Sequence, residues 1–226
     1  MTSCSSLAHE LKINHTNLGA PFSLRCLMGI LLMFTATQLN LAQSYADSGL
    51  PRTQVLRAAH PIALDGHGSD RSWAAAPPLG LLYNNGHDRG KVPERKSEVR
   101  LLWDVTSLYI FFQFESHHVK AFYHGTDVGV WDDPARLDIA ETILDPEGLG
   151  KRYFEINATP GQGTLDCVVQ WHEDKPSWDR SWPSKPFTIL SRQWKSTPAG
   201  GEGWSCEMAI PWAELSCIPH PGLEIR

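Results

Sequence analysis

The stretch Ser97–Phe114, SEVRLLWDVTSLYIFFQF, decides the fold class. Val99, Leu101 and Trp103 alternate with Glu98, Arg100 and Leu102, the period of two that sends successive side chains to opposite faces of a strand. Asp104, Thr106 and Ser107 are turn-formers, and Leu108–Phe114 reads as the returning strand. Leu101, Leu102, Trp103, Leu108, Tyr109 and Ile110 crowd the turn. A lone hairpin cannot bury so many large apolar groups, so the pair belongs at the centre of a wider antiparallel sheet.

Working outward, the same pattern recurs. Strands are expected at Asp138–Leu144, Tyr153–Ala158, Thr164–Trp171, Phe187–Trp194 and Trp204–Ile210, separated by turns such as Pro146-Glu147-Gly148 and Pro160-Gly161-Gln162-Gly163. Upstream, Val55–Leu64 reads as an edge strand because Pro61 interrupts it. Ser69 is placed to cap a short helix running to Ala76 and stopped by Pro77-Pro78. Leu79–Glu94 and Glu115–Pro134 read as loops, and Trp178-Asp-Arg-Ser-Trp182 as an exposed loop. Many short strands and almost no helix predict an all-β fold, an antiparallel β-sandwich.

Residues 1–46 carry the marks of an export signal. Arg25 precedes the apolar run Leu27–Ala36, and Ser44-Tyr45-Ala46 places small residues at a cleavage site. The run is too short to span a bilayer. The chain is therefore divided into a signal peptide, 1–46, and one sandwich domain, 47–226, expected to be secreted or periplasmic and monomeric. Within the full 226 residues the net charge of −5 leaves no basic footprint for nucleic acid. Nine tryptophans are many for this length, and an indole offers a face for the C–H surface of a sugar ring. Cys167, Cys206 and Cys217 remain after the leader, without CxxC or paired Cys/His spacing. Cys206 shares a strand face with Trp204, Met208 and Ile210 and reads as a buried free thiol rather than a partner of Cys217.

Five blocks lie in a recognisable order: Leu64-Asp65-Gly66 with Asp70 and Trp73; the opening hairpin; Asp138-Ile-Ala-Glu141-Thr-Ile-Leu-Asp145-Pro146; Tyr153-Phe-Glu-Ile-Asn157 with Asp166; and Gly203-Trp-Ser-Cys-Glu-Met-Ala-Ile-Pro-Trp212. Together they resemble the family 9 carbohydrate-binding modules, β-sandwich domains appended to polysaccharide-degrading enzymes. The resemblance implies non-catalytic binding of a polysaccharide or oligosaccharide in support of extracellular polysaccharide breakdown. It implies Trp131 as one wall of a sugar slot and Glu141 as an acceptor of hydroxyl protons. Glu155 and Asn157 follow on one strand face, with Glu155 where sugar-binding members carry arginine. The chain stops shortly after the IPW block, before the strands that carry the family's second stacking tryptophan. Trp171, Trp178 and Trp182 are candidates either for a replacement of that wall or for packing and turn contacts. Asn157-Ala-Thr159 is also a glycosylation sequon in a eukaryotic secretory host.

Other chemistry is weighed beside this. Asp132, Asp133, Asp138 and Asp145 supply hard oxygen ligands that suit a structural calcium ion, or form a hydrated acidic loop. A glycoside hydrolase would need two carboxylates facing one another across a gap; Asp138 and Glu141 point to opposite faces of a strand. A haem-binding, electron-transfer sandwich domain would use Met208 and one of His117, His118, His124 or His172.

Overall fold

The structure, a computed structural model, describes residues 10–13, 52–80, 90–121, 125–126, 138–183, 187–195 and 201–226, with backbone only at 10–13, 80 and 125–126. Two sheets form the sandwich. The larger contains β1 (Glu10–Ile13), β2 (Arg52–Arg57), β3 (Leu79–Gly80), β4 (Ser97–Trp103), β5 (Ser107–Ser116), β11 (Thr188–Lys195), β12 (Glu202–Pro211) and β13 (Glu224–Ile225). Its strand order is β11-β12-β5-β4-β2-β1-β13, with β3 also on β4. The smaller contains β6 (Gly125–Thr126), β7 (Ala140–Leu144), β8 (Arg152–Ala158), β9 (Gly163–His172) and β10 (Lys175–Asp179). Its order is β10-β9-β8-β7, with β6 on β9.

The opening hairpin is β4 and β5, paired from Ser97–Phe114 to Trp103–Leu108, and β5 is flanked on its other side by β12. Its inner face (Val99, Trp103, Leu108, Ile110, Phe112) packs with Trp204, Cys206, Met208 and Ile210 against Ala140, Leu144, Phe154, Ile156 and Val168 of the second sheet. The outer face is covered too: Leu102, Tyr109 and Phe111 are buried with Ile62, Trp73 and Ala76. Burial on both faces, at ~1.5–3 kcal/mol for each large side chain, explains why this segment is apolar almost throughout.

The turn at Asp104 closes because its carboxylate accepts from the Thr106 and Ser107 amides, the Thr106 hydroxyl and the Tyr109 hydroxyl. Burial raises the Asp104 carboxyl, but these hydrogen bonds outweigh it and hold the group below its ordinary pKa. Trp212 Nε1 donates to the Asp104 carbonyl, tying the IPW block to the hairpin.

Some local expectations are corrected. The short helix is a 3-10 turn over Arg71–Ala75 whose cap is Asp70, not Ser69; the Asp70 carboxylate accepts from Ser72 N at 2.8 Å and from Ala63 N at 2.9 Å. Ser69 instead donates to Asp65. The strand expected at Val55–Leu64 ends at Arg57, before Pro61, and is not an edge, since β2 lies between β4 and β1. Trp178 belongs to a strand rather than a loop: β10 pairs with β9 across a two-residue turn at Glu173-Asp174, with Glu173 at φ 55°. β1 comes from within the segment read as a leader and pairs with both β2 and β13. Cys167, Cys206 and Cys217 are free thiols, and burial pushes Cys206 up to about 12. Among the described residues no helix is long and apolar enough to cross a membrane.

Candidate functional site

The outer face of the second sheet gathers most of the residues expected to bind ligand. The register sets Glu141 opposite Asn157 and Ile143 opposite Glu155. It then sets Asn157 opposite Leu165, Glu155 opposite Cys167 and Tyr153 opposite Val169. Directly paired residues of antiparallel strands share a face. Glu141, Glu155 and Asn157 therefore project together, away from the core occupied by Phe154, Ile156 and Val168.

These three polar groups are linked. Asn157 Nδ2 donates to Glu155 Oε1 at 3.2 Å, and Glu141, opposite Asn157, is the diagonal neighbour of Glu155 on the same face. Burial, and then the Glu155 charge, raise Glu141 to about 7. Glu155 and Asn157 are almost fully buried, while Glu141 is half-buried and gives the pair its contact with solvent. Leu165, Cys167 and Val169 form a small apolar cluster beside them, packed by Ile139 and Tyr153. Burial raises the Tyr153 hydroxyl above its ordinary pKa.

Farther along the same face stand two exposed tryptophans. Trp171 pairs with Pro176, and Trp178 with Val169, so both indoles lie on the side of Tyr153 and Glu155. They are 38% and 57% exposed, unusual for so large an apolar group. Residue Lys151 is level with Trp171, four residues from Glu155, so Trp171 lies about 13 Å from the carboxyl pair along the strand direction. Trp178 lies ~12 Å from it, two residues along and two strands across. Trp182 is different: its indole donates to the Glu214 carbonyl and packs between Phe154 and Phe187, a core role.

The remaining candidates separate. Trp131, Asp132 and Asp133 lie outside the described residues. Asp138 and Asp145 flank opposite ends of β7, roughly 20 Å apart by strand rise, and no single ion can bridge them. Asp138 accepts from Lys120 N, and burial raises its pKa. Asp145 is occupied in a turn, accepting from the amides of Glu147, Gly148 and Gly150. Asn157 is only 1% exposed within a strand, which closes the sequon to a glycan. Met208 is fully buried in the core, its sulfur facing the Thr142 hydroxyl.

Sequence reasoning missed Tyr153 and the strand identity of Trp178. The signal for the latter was present: Trp171-His-Glu-Asp-Lys-Pro-Ser-Trp178 alternates on both sides of a two-residue polar turn.

No family model matches this sequence, and no curated protein is similar to it in sequence. Its fold is similar to solved structures. A protein from Bacteroides uniformis, provisionally assigned as carbohydrate-binding, has a TM-score of 0.50 at 15% identity, covering 75% of this chain and 76% of that one. A family 9 carbohydrate-binding module from Caldicellulosiruptor kristjanssonii in complex with cellotriose has a TM-score of 0.41 at 13% identity, covering 74% and 70%. The same organism's module in complex with glucose has 0.40 at 15%, covering 76% and 74%. The likeness shows the fold, the antiparallel β-sandwich that the order of motifs implies.

Proposed function

We propose that this chain is a non-catalytic carbohydrate-binding domain whose ligand lies along the outer face of the β7–β10 sheet. The observation that carries this reading is the shared face itself: two exposed indoles in line with a buried row of carboxyl and amide groups. Stacking on Trp171 and Trp178 supplies apolar contact with the C–H face of pyranose rings. Glu141, which reaches solvent, supplies an acceptor for hydroxyl groups and is backed by the buried Glu155 and Asn157, and charge-assisted bonds of this kind are the stronger ones. A distance of more than one sugar ring between platform and carboxyl row suits an oligosaccharide better than a monosaccharide. Trp131 extends the same slot in this reading, and a calcium ion at the acidic residues near it would be structural. Export to the cell exterior and service to polysaccharide breakdown complete the proposal.

The geometry favours binding over hydrolysis. A glycosidase holds its two carboxyl groups roughly 5–10 Å apart so that the scissile bond fits between them. Glu141 and Glu155 stand side by side on one strand face instead of facing one another across a gap.

Titration of the full chain with cello-, xylo- and chito-oligosaccharides, followed by tryptophan fluorescence and calorimetry, tests the reading. A blue shift or quench with saturable binding and no release of reducing sugar is the expected result. Release of reducing sugar that disappears in Glu141→Gln would overturn it, as would the absence of binding to every glycan.

A further inference from the structure

Resting on the carbohydrate-binding reading, the geometry narrows the ligand class: we propose that the exposed end of the β7–β10 sheet binds an acidic oligosaccharide, one of uronic acid units, whose rings stack on Trp171 and Trp178 and whose carboxylates pair with Lys151 and Arg180. The four side chains follow one another across the face. The Lys151 carbonyl accepts from the Trp171 amide, which makes the two residues a direct cross-strand pair with Cβ atoms ~5 Å apart. Pro176 is opposite Trp171 on β10, so Trp178, two residues on, is the diagonal neighbour of Trp171 at ~7–8 Å. Arg180, the first residue past β10, continues the alternation two residues beyond Trp178, ~7 Å further along. All four are exposed to solvent. The trail from Lys151 to Arg180 covers ~16 Å, being about four residues along and two strands across.

The aromatics and the cations ask for different parts of one ligand. An indole offers an apolar face to a pyranose ring. A ring lying flat on it carries its equatorial substituents in its own plane, so the carboxylate of a uronic acid points sideways, toward a cation beside the indole. Lys151 stands beside Trp171 and Arg180 beside Trp178, one cation for each aromatic. A carboxylate met by an ammonium or guanidinium group makes the stronger, charge-assisted kind of hydrogen bond, and the arginine fork can take both its oxygens. A neutral glycan meets the indoles but gives the two cations no counter-charge. The charges of opposite sign lie off the trail. Glu173 and Asp174 form the turn that closes the hairpin, and Asp179 alternates to the other face, where it accepts from the Ser181 amide and hydroxyl. Glu141 and Glu155 stand ~12–13 Å from the indoles, beyond the ~8 Å screening length at physiological salt, and Glu155 is only 4% exposed.

The experiment uses two pairs of tetrasaccharides, matched in rings and linkage and differing in charge: cellotetraose against the β-1,4-linked tetramer of glucuronate, and the methyl ester of tetragalacturonate against its free acid. Each is titrated into the full chain by calorimetry at neutral pH, in low salt and again in high salt. At low salt the charged member of at least one pair should bind about fivefold or more tightly than its neutral counterpart, the scale of two exposed ion pairs, and the ratio should shrink at high salt. In the double variant Lys151→Gln/Arg180→Gln, checked for folding by near-UV circular dichroism, the ratio should fall to about one while the neutral member binds as before. Equal binding within both pairs, or a preference for the neutral members, would overturn the acidic-ligand assignment and leave sugar binding standing. A preference for charge that survives in the double variant, or that high salt does not reduce, would place it on other groups and overturn the pairing. Binding of none of the four would remove both readings.

Discussion

Two buried carboxyl sites in this chain have opposite designs. Glu207, on β12, is fully buried, and its carboxylate accepts from three donors: the Asp65 amide at 2.8 Å, the Gly66 amide at 2.5 Å and the Trp73 indole at 2.7 Å. Glu155, on β8, is nearly as buried, yet it faces a second carboxyl and an amide. A buried anion surrounded by N–H groups fastens structure, because each donor it satisfies would otherwise be orphaned. At the second site burial and the neighbouring Glu155 charge raise Glu141 instead. The first arrangement anchors residues 64–73 to the large sheet.

The largest effect should come from Glu207→Ala. It strands three buried donors and should cost ~3–5 kcal/mol in urea denaturation. Unchanged stability would place the anchoring role elsewhere.

Glu141→Gln should do the reverse. Because the folded-state pKa is raised to about 7 from 4.5, the folded protein binds more protons than the unfolded one between those values, and stability falls as pH rises through that window. Glutamine keeps a donor toward Glu155 without the ionisation. The variant should therefore be more stable than the natural chain at pH 8 by roughly 1–3 kcal/mol, one pKa unit being worth about 1.4. The gain should vanish below pH 4.5. A gain that does not depend on pH would show that Glu141 does not titrate in this window.

Trp171→Ala and Trp178→Ala should each weaken oligosaccharide binding about tenfold, a loss of ~1.4 kcal/mol, while leaving the melting temperature nearly unmoved. Loss of folding in either would return the exposed indoles to a structural role. The smallest effect is expected at Asp70→Ala, which removes the cap of the 3-10 turn and should cost about 1 kcal/mol of stability without changing glycan affinity.

The same comparison explains what could be read in advance. The blocks that carry the family resemblance are mostly the anchoring ones. Asp65, Gly66 and Trp73 converge on Glu207, and Asp104 with Trp212 closes the central hairpin. Gly66, at φ +82°, has no room for a side chain: an added carbon would sit 2.8 Å from Arg192 and 3.2 Å from a backbone oxygen of Leu190. Such residues are legible because each has one local task that few side chains can perform. The strands bearing Glu141, Glu155 and Asn157 were legible for the same reason, from their alternation. That Trp178 stands on their face was not, because the β9–β10 hairpin is polar and half-exposed and gives a weak periodic signal.

By itself the sequence determined the architecture. A period of two, turn residues at the right intervals and apolar strands covered on both faces admit little besides a β-sandwich. It also determined that Glu155 and Asn157 share a face, since that follows from strand geometry alone. Only the tertiary structure decided which carboxylates meet. Glu141 reaches Glu155 through the register of β7 on β8, Glu207 reaches Trp73 across the large sheet, and Trp178 joins Trp171 through the pairing of β10 with β9. Register is a long-range quantity: a slip of one residue would turn every one of these side chains to the opposite face, and it is set by the packed core as a whole rather than by the strands taken singly.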